Sequence, residues 1–146
     1  WESPEKAKEI YNLAIQNCSG IIGNDEEFSI LAGSYSESLD YAKKLSSKSD
    51  LVIYKMGEKG SITFVNNKKI VKGIYEVKPL KPTGAGDAFM GSFIGAVLKN
   101  YDIEKAIEIG SAAAAIVVTK VGCAPAMPNI DQILKFMNKN KISKGE

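Results

Sequence analysis

Five residues, Thr83-Gly84-Ala85-Gly86-Asp87, bring two kinds of chemistry into one turn. The two glycines permit a tight bend, and the apolar run from Ala88 to Leu98 reads as a helix whose first amides are free to hold an anion. A carboxylate beside an anion pocket is electrostatically out of place unless it has a task of its own, and accepting a proton from an attacking hydroxyl is such a task. Phosphoryl transfer uses both parts: amides stabilise charge on the transferred oxygens while the acid deprotonates the acceptor. The plainer reading is an ordinary turn with Asp87 capping the helix. Neither common nucleotide fingerprint fits, because GAGDAF lacks the third glycine of G-x-G-x-x-G and no G-K-[ST] follows at phosphate-loop spacing.

Composition narrows the chemistry further. The 146 residues include no histidine, and all 19 basic residues are Lys. Ser-His and Cys-His pairs and imidazole metal ligands are therefore excluded within the chain, and a phosphate site must rely on amides, Lys and metal rather than guanidinium groups. Seventeen acidic residues leave a net charge of +2, which suggests neither a nucleic-acid stripe nor a polybasic membrane anchor. A chain that is 45% hydrophobic and 25% charged suits one globular domain. WESPEKAKEI has no apolar signal segment, and no run approaches the roughly 20 apolar residues of a spanning helix. Cys18 and Cys123 lack zinc-type spacing, so a reducing cytoplasm is the expected setting.

The elements that must position the turn alternate between helix and buried strand. Ser3-Pro4-Glu5 starts a helix to about Asn17, followed by a glycine-bounded apolar run at Gly20-Ile21-Ile22-Gly23 that reads as a strand. A short helix is expected over Glu27 to Leu31 and another over Ser38 to Leu45. Leu51 to Tyr54 suits a strand covered on both faces, and Gly57-Glu58-Lys59-Gly60 turns the chain. Ile62 to Val65 and Lys69 to Tyr75 flank the hairpin signal Asn66-Asn67, which predicts an antiparallel extension at the sheet edge. Asp102 caps a helix through Val118, Ile130 to Met137 forms a last helix, and KNKISKGE reads as a frayed tail. The order predicts an α/β layer structure, though with fewer parallel strands than an open doubly wound sheet usually has.

Three ordered motifs carry a resemblance. Lys81-Pro82-Thr83-Gly84-Ala85-Gly86-Asp87-Ala88-Phe89-Met90-Gly91 resembles the C-terminal signature of the ribokinase, or phosphofructokinase-B, carbohydrate kinases. Upstream, Asn24-Asp25-Glu26-Glu27 is similar to the family's N-x-x-E, and Lys55-Met56-Gly57-Glu58-Lys59-Gly60 to its strand-end G-x-x-G. Ser111 to Val118 followed by Gly122-Cys123-Ala124 resembles the adenine-side helix and closing loop. Within the family, WESPEKA, GIIGNDEEF and Cys123-Ala124-Pro125-Ala126-Met127-Pro128 are most similar to the branch whose acceptor is 5-dehydro-2-deoxygluconate, in myo-inositol catabolism. The competing branch uses 2-dehydro-3-deoxygluconate.

The resemblance implies a Rossmann-like three-layer fold of which residues 1–146 form the C-terminal, ATP-side half. It implies ATP and Mg2+ as reactants, with a small sugar acid as acceptor and no nucleic acid or membrane partner. Asp87 would be the base and the amides of Gly84, Ala85, Gly86 and Asp87 the anion hole. Lys55, Gly57, Gly60, Thr83, Ser111 and Gly122 would contact the nucleotide, and Asn24 and Glu27 would organise Mg2+ through water or phosphate. The plainer role of Asn24 and Glu27 is a helix cap with a solvated acid, and that of Ser111 is a small packing residue. Lys81 stands where many relatives have an Asp associated with a monovalent cation, a departure that counts against potassium activation. If residues 1–146 are all that is present, the sugar-binding N-terminal half and lid are missing. Little kinase activity, and self-association or pairing with a complementary half, are then expected. The alternative function is a non-catalytic nucleotide-binding or assembly module.

Overall fold

The computed structural model describes residues 3–145, so Trp1 and Glu2 of the WESPEKA resemblance and Glu146 of the terminal stretch lie outside the described residues. The chain divides into two compact units, Trp1–Val71 and Lys72–Glu146.

The first unit begins with α1 (Pro4–Ile15), whose first turn is capped by Ser3 Oγ accepting from the Lys6 amide at 3.2 Å. β1 (Gly20–Asn24) leads directly into α2 (Asp25–Ala32), and α3 (Ser38–Leu45) precedes β2 (Leu51–Lys55). Two helices between β1 and β2 supply the long crossover that parallel pairing requires. The pairing is parallel, with Gly20 opposite Leu51 and Asn24 opposite Lys55. A 3-10 turn at Gly57–Lys59 then reverses the chain into β3 (Ser61–Val65), antiparallel to β2. Asn66 and Asn67, at φ 49° and 59°, form the expected hairpin turn into β4 (Lys68–Lys72). The sheet order is β1-β2-β3-β4, mixed as expected.

One face of this sheet carries the core of the unit. Val52, Tyr54, Ile62 and Phe64 meet Phe28 and Leu31 of α2 and Ala42 and Leu45 of α3. The Phe28 and Tyr54 rings lie 5.3 Å apart, and the buried Tyr54 hydroxyl is satisfied by Ser38 Oγ at 2.7 Å.

The second unit is helical: α4 (Ala85–Leu98), α5 (Ile103–Val118) and α6 (Ile130–Lys139). Asp102 caps α5, accepting from the Lys105 amide at 2.8 Å, as its position predicts. Gly110 lets α4 and α5 approach closely, since a Cβ there would sit 3.0 Å from the Phe89 carbonyl oxygen and 3.1 Å from its ring. Among the described residues no helix is long and apolar enough to cross a membrane.

Two expectations are corrected in this unit. The strand expected to run to Tyr75 stops at Lys72, and the terminal stretch expected to fray is tethered. The cause is one exchange of hydrogen bonds: the Gly73 amide donates to the Ser143 carbonyl at 3.2 Å and the Ser143 amide to the Ile74 carbonyl at 2.8 Å. Tyr75 forms a bridge with Ile142 instead of a ladder, and its ring packs edge-on against Phe136 at 5.5 Å. Gly73 is required there, because a Cβ would overlap Ser143.

Candidate active site

In the second unit, the segment before α4 is pinned to the end of α5. The Leu80 and Lys81 amides both donate to the Val118 carbonyl, at 2.7 and 3.3 Å. The chain then bends sharply: the Ala85 amide donates to the Pro82 carbonyl at 3.2 Å, and Gly84 takes φ 90°. Such a φ favours glycine. Space reinforces the choice, since a Cβ on Gly84 would lie 3.3 Å from Val117 Cγ1 and 3.4 Å from Cys123 Cβ. Gly84→Ala is therefore expected to destabilise the unit by about 1–2 kcal/mol from backbone strain alone. A thermal midpoint equal to that of the parent chain would contradict the assigned turn.

α4 starts three residues earlier than its apolar run suggested, so Asp87 lies inside the first helical turn. Among the described residues no side chain caps this helix, whereas α1, α2, α5 and α6 each have a capping side chain. The plainer role of Asp87 as a cap is thus not filled. Among the described residues, the Gly86 and Asp87 amides have no intramolecular hydrogen-bond partner and the Asp87 carboxylate has none either. Both residues are exposed. Ala85 differs, because its amide is already committed to Pro82; of the four amides assigned to the anion hole this leaves Gly84, Gly86 and Asp87 uncommitted among the described residues.

The other nucleotide-side candidates of this unit are placed as follows. Gly122, at φ 91°, turns the loop so that Cys123 Sγ lies 3.8 Å from the Thr83 carbonyl oxygen, which brings Gly122 and Thr83 into one neighbourhood. Ser111 is 9% exposed within the packed length of α5, and among the described residues no hydrogen bond joins it to the turn.

The first unit gathers its own candidates at the end where β1 and β2 finish side by side. Asn24 and Glu27 form a reciprocal box: the Asn24 amide donates to Glu27 Oε2 and the Glu27 amide to Asn24 Oδ1, both at 2.7 Å. The capping role of this pair is filled, and Glu27 is no merely solvated acid. Lys55 sits opposite Asn24 in the register. Beyond it the Met56 amide donates to the Gly60 carbonyl at 2.8 Å, and Gly57 and Gly60 take φ 59° and 91°. A Cβ on Gly57 would meet nothing within 4 Å, so glycine is needed there for conformation alone.

Sequence reasoning missed one contact here: the Tyr35 hydroxyl donates to the Asp25 carboxylate, which pushes the phenol up to about 12. No spacing signal marks that pair, since the two residues are joined by the loop after α2. Among the described residues no cluster of three or more His, Cys, Asp or Glu could hold a metal by itself. The single carboxamide oxygen of Asn24 and one carboxylate oxygen of Glu27, Oε2, are already hydrogen-bonded within the box.

Comparison with known proteins follows the same lines. The sequence pattern described as pfkB family carbohydrate kinase matches residues 1–130. A 5-dehydro-2-deoxygluconokinase from Geobacillus thermodenitrificans is 33% identical over 149 residues, an alignment covering 99% of this chain and 44% of that protein. Ribokinase from Thermotoga maritima superposes with a TM-score of 0.79 at 29% identity, covering 85% of this chain and 43% of that one. Ribokinase from Arabidopsis thaliana, solved with ribose and ATP, gives a TM-score of 0.76 at 27% identity over 84% of this chain and 42% of that one. The chain spans under half the length of the relatives it matches.

Proposed function

Because the chain belongs to the pfkB family of carbohydrate kinases, we propose that it supplies the nucleotide site, anion hole and catalytic base for ATP-dependent phosphorylation of a keto-sugar acid, 5-dehydro-2-deoxygluconate. One observation carries the reading: a helix start with no side-chain cap, whose Gly86 and Asp87 amides and Asp87 carboxylate have no partner among the described residues. The amides hold the transferred phosphoryl oxygens as charge shifts onto them. Asp87 accepts the proton of the acceptor hydroxyl, a transfer that accompanies attack on phosphorus.

Bound Mg2+ would screen the phosphate charge. Asn24 and Glu27 fit it through water, and Gly57 and Gly60 let backbone approach the nucleotide. ATP supply and two free cysteines suit a reducing cytoplasm. We assign sugar binding to an acceptor-side portion outside this chain, within the part of the longer relatives that it does not match. The exposed Met90, Ile94 and Leu98 of α4 offer that portion an apolar face.

The acceptor is tested with an enzyme form that includes that portion, by coupled assay with 5-dehydro-2-deoxygluconate and 2-dehydro-3-deoxygluconate in parallel. At least tenfold higher kcat/KM for the former is expected. Preference for the latter would retain the kinase reading and overturn the acceptor.

A further inference from the structure

We propose that the first unit carries an anion site of its own, at the opposite end of its sheet from Asn24 and Lys55, that takes a small dianion with an apolar body. A cavity of about 560 Å³ opens between α3 and the β3–β4 hairpin, within the 300–1,000 Å³ range of small-molecule sites. Lys43 of α3 and Lys68 and Lys69 of β4 line it, against one carboxylate, Asp40. Among the described residues none of these three ammonium groups is in an ion pair, unlike Lys6, Lys72 and Lys105. The site therefore has an excess of two uncompensated positive charges, which a dianion would balance. Leu39, Phe64 and Val65 complete the lining with apolar surface, so the fitting ligand has more than a bare anionic group.

The hairpin turn adds a second observation. Asn66 and Asn67 both line the cavity and both hold left-handed φ, and Asn67 stands where such two-residue turns favour Gly. Keeping a side chain there costs conformational strain, and it places a carboxamide at the mouth of a basic cavity.

Register separates this site from the first unit's own nucleotide-side candidates. Val65 pairs with Leu51 at the start of β2, whereas Asn24 and Lys55 lie at its far end. Four residue steps of strand put roughly 13 Å between those two ends. The inference does not rest on the kinase reading, since every residue it uses lies between Leu39 and Lys69.

The test follows backbone amide resonances of the chain during titration with phenyl phosphate, and separately with inorganic phosphate, at constant ionic strength. The expected result is saturable shifts at Leu39, Phe64 and Asn66 to Lys69, with phenyl phosphate binding more tightly. The exposed double substitution Lys68→Glu with Lys69→Glu should weaken that binding at least tenfold, while Lys6→Glu on α1 leaves it unchanged. Equal loss in both variants, unaltered binding in the double variant, or shifts confined to Gly84–Asp87 would overturn the site. Shifts at Gly84–Asp87 report on the phosphoryl-transfer turn and are read separately.

Discussion

Replacing Asp87 with Asn is expected to lower kcat by about 100-fold to 10,000-fold, the range associated with loss of a positioned general base. The substitution keeps the side-chain shape and the backbone amide, so nucleotide affinity should change little. Asp87 is exposed and makes no hydrogen bond among the described residues, so the folded state loses no contact when its charge is removed. The effect should therefore fall on kcat rather than on stability or on KM for ATP. The measurement is steady-state kinetics on enzyme that includes the acceptor-side portion, with folding followed by circular dichroism. Near-normal turnover by a folded variant would remove Asp87 from the reaction.

Phe28→Ala is expected to cost about 3–5 kcal/mol, the range for truncating a buried aromatic residue. Phe28 is 1% exposed and meets Tyr54 across the core of the first unit. It also follows Glu27 on α2, so it holds against the sheet the helix whose first turn contains the Asn24–Glu27 box. Asn24→Ala, which removes only the cap, should cost less, about 0.5–2 kcal/mol. Urea denaturation of the two variants checks the order. A Phe28→Ala loss below that of Asn24→Ala would contradict the assigned core.

The elements that the sequence made legible are those with local causes. The Asn24 cap, the Asp102 cap and the Asn66-Asn67 turn each act over two to four residues, and all three are present, although the return bond accepted by Glu27, which turns the first into a reciprocal box, goes beyond its plainer reading as a solvated acid. α3 spans the residues its pattern predicted, and β2 runs one residue further, to Lys55. What escaped depends on distant partners. The early start of α4 was hidden by Gly84 and Gly86, whose low helix propensity reads as loop until the turn is seen pinned to Val118 and Pro82. The tether of Ser143 to Gly73 and Ile74 spans about seventy residues and has no periodicity to announce it. In the same way, the residues proposed for the phosphate side were legible as motifs, but commitment of the Ala85 amide to Pro82 was not. Nor was the missing cap on α4, because a cap is recognised in sequence by residue type alone and Asp is a common one.

The central claim concerns backbone donors, so the most direct measurement follows them individually. The 146-residue chain is titrated with Mg2+ and a non-hydrolysable ATP analogue while its amide resonances are recorded. The largest saturable shifts are predicted at Gly84, Gly86 and Asp87, with little change at the Lys105 and Gln132 amides, which are already held by the caps Asp102 and Asn129. Gly84→Ala should abolish them. Saturable binding that leaves Gly86 and Asp87 unmoved would show that the phosphates are held elsewhere and would contradict the account.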